Sequence, residues 1–449
     1  MNKPKSRIIT RNAAGAAALL FCAIASQALA FDVQSVTSRQ RWPWNNLLDV
    51  DVTLANTTPG EFYRVEISAT YPALAGGEVM AKTLVSEPVV TGDGTHRLVW
   101  DIGRDFPDFK TADFTVKASV APLAATDPVY LVVDLSAGST ATTYPHRYTT
   151  RAPDLSSDVC RTTELWLRRC PAGTFTRGCN EPHVSTNNSN TRAVLPAHRV
   201  TLTKPFYIGI FELTQGQYFQ MEGARPSYYA NETCWATRPL ENLKCNVFRP
   251  SDGWYPADTK PMGDSPMLRL RNRTGLLFDL PTDAQWEYAC KAGSTGMYYY
   301  PEISYDTVKN YGRNKSLVNY TTEPGPEVDD SAATAKVGTY PANPWGLYDM
   351  YGNVAEYTPT GDPFASSGSG VWFPLPDYFA GENVDPYGPP QLWADLTDQK
   401  TADYTSSREI RGGSWMNTRA EALGSSILTR TAAGSQAKDI GFRLVVRVE

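Results

Sequence analysis

The sequence predicts two folded parts: an all-β sandwich of immunoglobulin-like type over residues 31–125, and a larger, loop-rich α+β domain over residues 128–449. Three observations carry this reading. Short segments before residue 125 alternate apolar and polar residues with a period of two, as half-buried strands do. Gly and Pro each occur 33 times and Tyr 24 times, while apolar stripes of helical spacing are few, which points to strands and turns. Two helix starts nevertheless stand out after residue 200, each marked by a threonine with glutamine three residues on.

In chain order, residues 1–30 read as a secretory signal. Lys3, Lys5, Arg7 and Arg11 precede an apolar run, and Ala28-Leu29-Ala30 supplies the small residues expected at a cleavage site. The run is too short for a membrane span. Removing these residues takes away four cations and no acid, which moves the net charge from −5 to −9. With no long basic run left, nucleic acid and anionic membranes are not expected partners. The expected product is an exported chain that is periplasmic, cell-surface or secreted.

The strands expected in the first part are Leu48–Leu54, Tyr63–Ala69, Leu98–Ile102 and Phe114–Val120, with Asn56–Gly60 and Thr91–Gly94 as turns. Ala121–Asp127 reads as the linker. Tyr130–Leu135 is the first strand expected beyond it, and Phe206–Phe211 reads as a buried strand. Thr214 with Gln217, and Thr282 with Gln285, form capping boxes in which hydroxyl and amide satisfy each other's backbone N–H groups. Asp283 adds charge suited to a helix N-terminus, Gly293 suits the stop, and Trp286, Ala289 and Cys290 share one face.

Three further segments carry a resemblance: Leu280–Tyr288 (LPTDAQWEY), Gly346–Val354 (GLYDMYGNV), and Arg411–Trp415 (RGGSW) running on to Gly441-Phe442-Arg443. Together they resemble the formylglycine-generating enzyme (sulfatase-modifying factor) family, nearly continuously from Glu164 to residue 449. The resemblance implies a C-type-lectin-like formylglycine-generating-enzyme fold, and an activity that oxidises a substrate cysteine with copper held by two cysteines. It also implies that Asn417 and Ala422 stand at the two cysteine positions, where neither offers the soft sulfur that Cu(I) prefers. Copper is therefore not expected. The family's motif carries tryptophan on both sides of its glutamate, where this chain has Ala355 and Tyr357 around Glu356. Structural calcium is implied at Asp349, Gly352, Val354 and Glu356, two carboxylates and two carbonyls on a tight glycine turn, a donor set that suits calcium. A second calcium site would fall near Asn310 and Asp329-Asp330.

Other chemistry finds little support. Six cysteines follow the signal. In an exported chain they permit disulfides, with Cys234–Cys245 favoured and Cys160 open to Cys170 or Cys179, while Cys290 reads as a buried thiol. His198 opens a strand and His183 lies in a polar loop. Ser414 has no neighbouring histidine to activate it and reads as a framework serine, as Arg411 and Arg443 read as paired framework groups. The loops Arg225–Met267 and Thr360–Arg408 carry aromatics that could stack on a ligand or pack on the domain. The expectation is an exported, non-catalytic, calcium-stabilised module that binds a peptide, protein or glycan, Ala355, Ser414, Asn417 and Ala422 being a degenerate active site. The competing expectation is a metal-dependent oxidoreductase related to formylglycine-generating enzyme with an altered centre. A structural surface protein is the third.

Overall fold

The structure, a computed structural model, describes residues 31–40, 46–70, 78–106, 114–124, 127–178, 191–193, 197–230, 233–249, 263–300, 303, 307–314, 333–359, 364–366, 372–374, 383–386, 407–417, 423–432 and 434–448. The signal expected over residues 1–30 lies outside them. The chain divides into two compact units, Met1–Ala124 and Ala125–Glu449.

The first unit consists mainly of strands. β1 (Asp32–Gln40), β2 (Leu47–Ala55), β3 (Phe62–Thr70), β4 (Val79–Met80), β5 (Val89–Thr91), β6 (Gly94–Asp101) and β7 (Thr115–Pro122) form two antiparallel sheets. One has the order β1-β2-β6. In the other, β7 runs along the whole of β3, while β4 and β5 pair with its two ends. The period-two pattern is explicit: Val50, Val52 and Leu54 are buried while Asp51 and Thr53 are not, and Val65 and Ile67 repeat this on β3. Pleating sends alternate side chains to opposite faces, so this spacing gives each sheet one apolar face.

The second unit is organised on a six-stranded sheet. It introduces β8 (Tyr130–Asp134), β9 (His146–Thr149), β10 (Glu164–Cys170), β11 (Gly173–Arg177), β12 (Thr191–Ala193), β13 (His198–Leu202), β14 (Phe206–Gly209), β15 (Phe278–Asp279), β16 (Ala355–Tyr357), β17 (Phe364–Ser366), β18 (Trp372–Pro374), β19 (Asn383–Val384), β20 (Ser407–Arg411), β21 (Ile427–Ala432), β22 (Ile440–Gly441) and β23 (Val445–Arg447). The large sheet has the order β15-β23-β14-β10-β8-β9, and a five-stranded sheet has the order β12-β21-β20-β16-β22. β11, β13 and β19 form a third sheet, and β17 pairs with β18.

Three longer helices sit among these sheets: α1 (Gln215–Glu222), α2 (Pro266–Thr274) and α3 (Asp283–Lys291). Both expected capping boxes are present, with Thr214 and Thr282 accepting from the backbone of Gln217 and Gln285 while each glutamine side chain answers. α3 stops one residue earlier than Gly293 suggests, because Ala292 already adopts the left-handed conformation at φ 46°. Trp286, Ala289 and Cys290 are fully buried on it, in a core shared with Phe206, Ile208, Leu347 and Met350. The cysteine expectation is corrected in part. Cys245, the expected partner of Cys234, is a free thiol, as are Cys160, Cys170 and Cys290; Cys179 is outside the described residues. Cys234 Sγ instead accepts from Arg238 Nε at 3.3 Å, while Cys245 is buried.

Candidate functional site

The turn from Asp349 to Glu356 is built by backbone demands before any ligand is considered. Asp349, Gly352 and Asn353 all have positive φ, at 55°, 78° and 57°. A Cβ on Gly352 would stand 2.0 Å from the carbonyl oxygen of Arg313, so no other residue fits there. Gly352 N donates to Gly412 O, Asn353 N to Arg313 O, and Trp415 N to Asn353 O, at 2.8–2.9 Å. The two motifs read separately in the sequence are thus one folded object, stitched backbone to backbone.

Behind the turn lies a buried charge cluster. Glu356, in the middle of β16, accepts from Arg443 Nε and Nη2 at 2.7–2.9 Å and from Trp286 Nε1 at 2.6 Å. Glu212 accepts from Asn353 Nδ2 at 2.6 Å and from Val354 N at 2.9 Å. Asp349 accepts from Gly338 N through Oδ2 at 2.6 Å, while its buried Oδ1 has no hydrogen-bond partner among the described residues. Burial pushes the Asp349 carboxyl up to about 6, against the pull of the Gly338 N–H and Arg443. Burial also holds Glu212 well above the ordinary carboxylate range, and the charges of Asp349 and Glu356 push the same way. Three carboxylates therefore share a site in which Arg443 pairs with one.

Such a site relieves its surplus negative charge by taking up protons or a cation. Asp349 fits calcium: its orphaned oxygen sits on a glycine turn whose carbonyls are hard ligands. Glu356 fits less well, because both its oxygens are already engaged by Arg443 and Trp286. Among the described residues, no group of three or more His, Cys, Asp or Glu side chains is arranged to hold a metal. Of the second calcium position, Asn310 is exposed at the end of a short 3-10 turn, and Asp329-Asp330 lie outside the described residues.

The Arg-Gly-Gly-Ser-Trp segment forms a buried wall beside this turn. Gly412 and Gly413 have φ of 87° and 67°, and a Cβ on Gly412 would press on the Trp286 ring at 3.1 Å. Asn417 uses its side chain locally. Its Oδ1 accepts from Ser414 N at 2.5 Å and from Ser414 Oγ at 3.3 Å, and Ser414 Oγ also donates to Asp439 Oδ2 at 2.8 Å. Ala422 is outside the described residues. Ala355, buried, donates its N–H to Asp439 O, and Tyr357 packs on Phe442 at 5.3 Å between ring centroids. Ser414 thus has the Asp439 carboxylate and the Asn417 amide as its side-chain partners among the described residues.

The surface beside this wall is aromatic. Tyr228 is 62 % exposed and Met416 40 %. Lys438 Nζ lies 5.2 Å from the Tyr228 ring and 5.3 Å from the Trp415 ring, a cation shared by two aromatic faces. Tyr229 meets Trp415 edge-on, and its backbone N–H, with that of Tyr228, is accepted by Glu241 at 3.0–3.1 Å. Burial pushes the Glu241 carboxyl up to about 7. Of the other loop aromatics, Trp235 stacks under Arg225 at 3.9 Å, whereas Trp254, Tyr255, Tyr378, Phe379, Tyr387 and Trp393 lie outside the described residues.

The framework reading of Arg411 and Arg443 agrees with their partners. Arg411 reaches Asp283 and, at 3.3 Å, Glu287, in a second buried cluster completed by Arg177 and Lys291. Asp283 and Glu287 are therefore core ion-pair members, a role that helix-capping logic did not suggest. Glu212 was missed as well, although a lone acid inside the apolar run Phe206–Leu213 was a visible signal. Nothing local in the sequence marks Lys438, Asp439 or Glu241, which reach the site only through the fold.

Comparison with known proteins gives the family. The profile of the Sulfatase-modifying factor enzyme 1-like domain matches residues 158–448. The chain is 24 % identical over 254 residues to the formylglycine-generating enzyme of Mus musculus, covering 49 % of this chain and 65 % of that one. It is 34 % identical over 178 residues to the chaperone protein LppX of Paenibacillus barcinonensis, covering 35 % and 62 %. The chain thus spans somewhat under two thirds of the length of these two relatives. Among solved structures, PvdO from Pseudomonas aeruginosa superposes with a TM-score of 0.43 at 20 % identity, over 63 % of this chain and 95 % of that one. The matched segment defines a sulfatase-modifying-factor domain. The chain belongs to the formylglycine-generating enzyme family, as a divergent member of low identity.

Proposed function

We propose that this protein is an exported, non-catalytic binding module of its family, which presents the surface around Ser414–Asn417 to a peptide, protein or glycan. The observation that carries the reading is the use of Asn417: where the family places a copper-binding cysteine, a carboxamide closes the Ser414 turn instead. An amide oxygen committed to two donors is a hard, engaged group, which gives Cu(I) no thiolate to bind. The exposed Tyr228 and Met416 beside it, with Lys438 between two rings, have the composition of a recognition surface: large apolar area at low entropy cost, with one cation for orientation. The relative called a chaperone protein supports a role without oxidation chemistry in this family. In the first unit, strands in two sheets are compatible with an immunoglobulin-like spacer or adhesion domain, and residues 1–30 have the pattern of an export signal.

Calcium belongs to this proposal as a structural ion. Asp349 would hold it with the carbonyls of Gly352 and Val354, while Glu356, paired to Arg443, would contribute charge. Among the described residues no helix is long and apolar enough to cross a membrane. The test is incubation of the purified protein with a cysteine-containing sulfatase-motif peptide, copper, oxygen and reductant. Unchanged peptide mass supports the reading, and conversion of the cysteine to an aldehyde ends it. A peptide and glycan array probed with wild type and with Tyr228→Ala then asks for the ligand. Binding lost in the variant supports the surface named here, and binding that persists moves it elsewhere.

A further inference from the structure

Apart from that surface, a cavity of about 320 Å³ opens where β13, β14, β23 and the start of α3 come together. Its apolar lining is Leu202, Phe206, Leu277, Pro386 and Val448. Phe206 and Leu202 are buried at its base, whereas Leu277 is 36 % exposed. None of these residues belongs to the turn at Asp349 or the wall at Ser414, and the volume lies within the range of small-molecule pockets.

The charge around this cavity is one-sided. Lys204 and Arg447 both line it, against the single acid Asp385. Asp385 is already engaged, accepting from Thr203 N at 2.7 Å and from the Thr203 hydroxyl. Arg447 Nη2 donates to Asp279 Oδ2 at 2.7 Å. Thr282 and Gln285, the capping box at the start of α3, also line the cavity. An apolar base under a cationic rim favours a ligand with an apolar body and one negative group.

We infer that this cavity is a second binding site, for a small amphipathic carboxylate whose apolar group rests on Phe206 and Leu277 and whose anionic group meets Lys204 and Arg447. The site is independent of the recognition surface proposed above. A cavity of this size holds a ligand of about 15 non-hydrogen atoms, which makes N-acetyl-phenylalanine a suitable probe and its neutral amide the matched control.

The experiment is a titration of the full chain, ¹³C-labelled at leucine methyls, with each probe. The acid should saturate with a Kd of about 1 mM, roughly fivefold tighter than the amide, and shift the methyls of Leu202 and Leu277. Lys204→Glu should erase the preference for the acid, and Leu277→Asp should weaken both probes; Lys204 and Leu277 are exposed enough to change without disturbing the core. Tyr228→Ala should bind the acid as wild type does. Equal affinity for acid and amide, shifts confined to other leucines, no saturation up to about 10 mM, or loss of binding in Tyr228→Ala would each overturn the inference. Because the acid-to-amide ratio is read within one variant, a small loss of stability cannot mimic the result.

Discussion

The second unit buries two clusters of charge that differ in their arithmetic. Around α3, Arg177, Lys291 and Arg411 meet Asp283 and Glu287, and every member is at most 2 % exposed. Burial would raise the Asp283 carboxyl, but Arg177 and Arg411 outweigh it and hold it below the ordinary range. Lys291 caps the cluster by donating to the carbonyls of Thr176 and Gly178 at 2.7–2.8 Å. At the Asp349 turn the acids prevail: Glu212 and Asp349 are pushed up, and Arg443 is paired with Glu356. A buried set in which every acid has cationic partners can serve as framework, whereas a set with surplus acid is left wanting a proton or a cation. Both adjoin the Arg411–Trp415 segment, the first of them through Arg411 itself.

Removing one acid from each cluster should have unequal consequences. Glu287→Gln leaves Lys291 and Arg411 short of a partner and should cost about 3 kcal/mol in urea unfolding, because an uncompensated buried charge remains. Glu212→Gln relieves repulsion and should cost less than about 1 kcal/mol in calcium-free buffer. Equal losses would erase the distinction.

Calcium sharpens it next. At a hundred times its Kd, a cation bound only by the folded state adds about 2.7 kcal/mol. Calcium should therefore raise the wild-type Tm and leave Asp349→Asn unmoved; a wild type indifferent to calcium would assign the surplus charge to protons.

Glu241 tests the same physics outside both clusters. Its folded carboxyl is pushed up to about 7 from an ordinary 4.5, so between those values the folded state holds a proton that the unfolded state has lost. Stability contributed by this group is full below pH 4.5 and declines as pH rises toward 7, by up to about 1.4 kcal/mol per unit. Comparing wild type with Glu241→Gln across that window should isolate the slope, and parallel curves would remove Glu241 as its source. The smallest effects belong to single caps: Thr214→Ala and Asn417→Ala should each cost about 1 kcal/mol by thermal unfolding, the first through its helix and the second through the Ser414 turn.

How much of this was legible follows from how local each cause is. The strands of the first unit were visible because Leu48–Leu54 and Tyr63–Ala69 alternate strictly, and the capping boxes because Thr and Gln act across three residues. The motif segments gave the family, and with it the neighbourhood of Asp349, Ser414 and Asn417. What was hidden is contact across long separations. Arg443 meets Glu356 from 87 residues away, Glu212 reaches Val354 from 142, and Lys438 reaches Tyr228 only through the folded turn. The favoured Cys234–Cys245 pair failed for the same reason, since spacing cannot reveal which way a thiol faces.

The place of β23 has a consequence for how this chain acquires its structure. Val445–Arg447 pairs on one side with Phe206–Ile208 and on the other with Phe278–Asp279. The large sheet therefore has a gap along β14 until residues 445–447 have been synthesised, and the bonds that join them to β14 span more than two hundred residues. Chains of such high contact order fold slowly. Until β23 arrives, Phe206 and Ile208 stand at an open strand edge of the kind that invites pairing with another chain. A ribosome-bound or truncated chain ending before Val445 should consequently be sticky and protease-sensitive, and the unit should become resistant in one late step as its final strand slides into place.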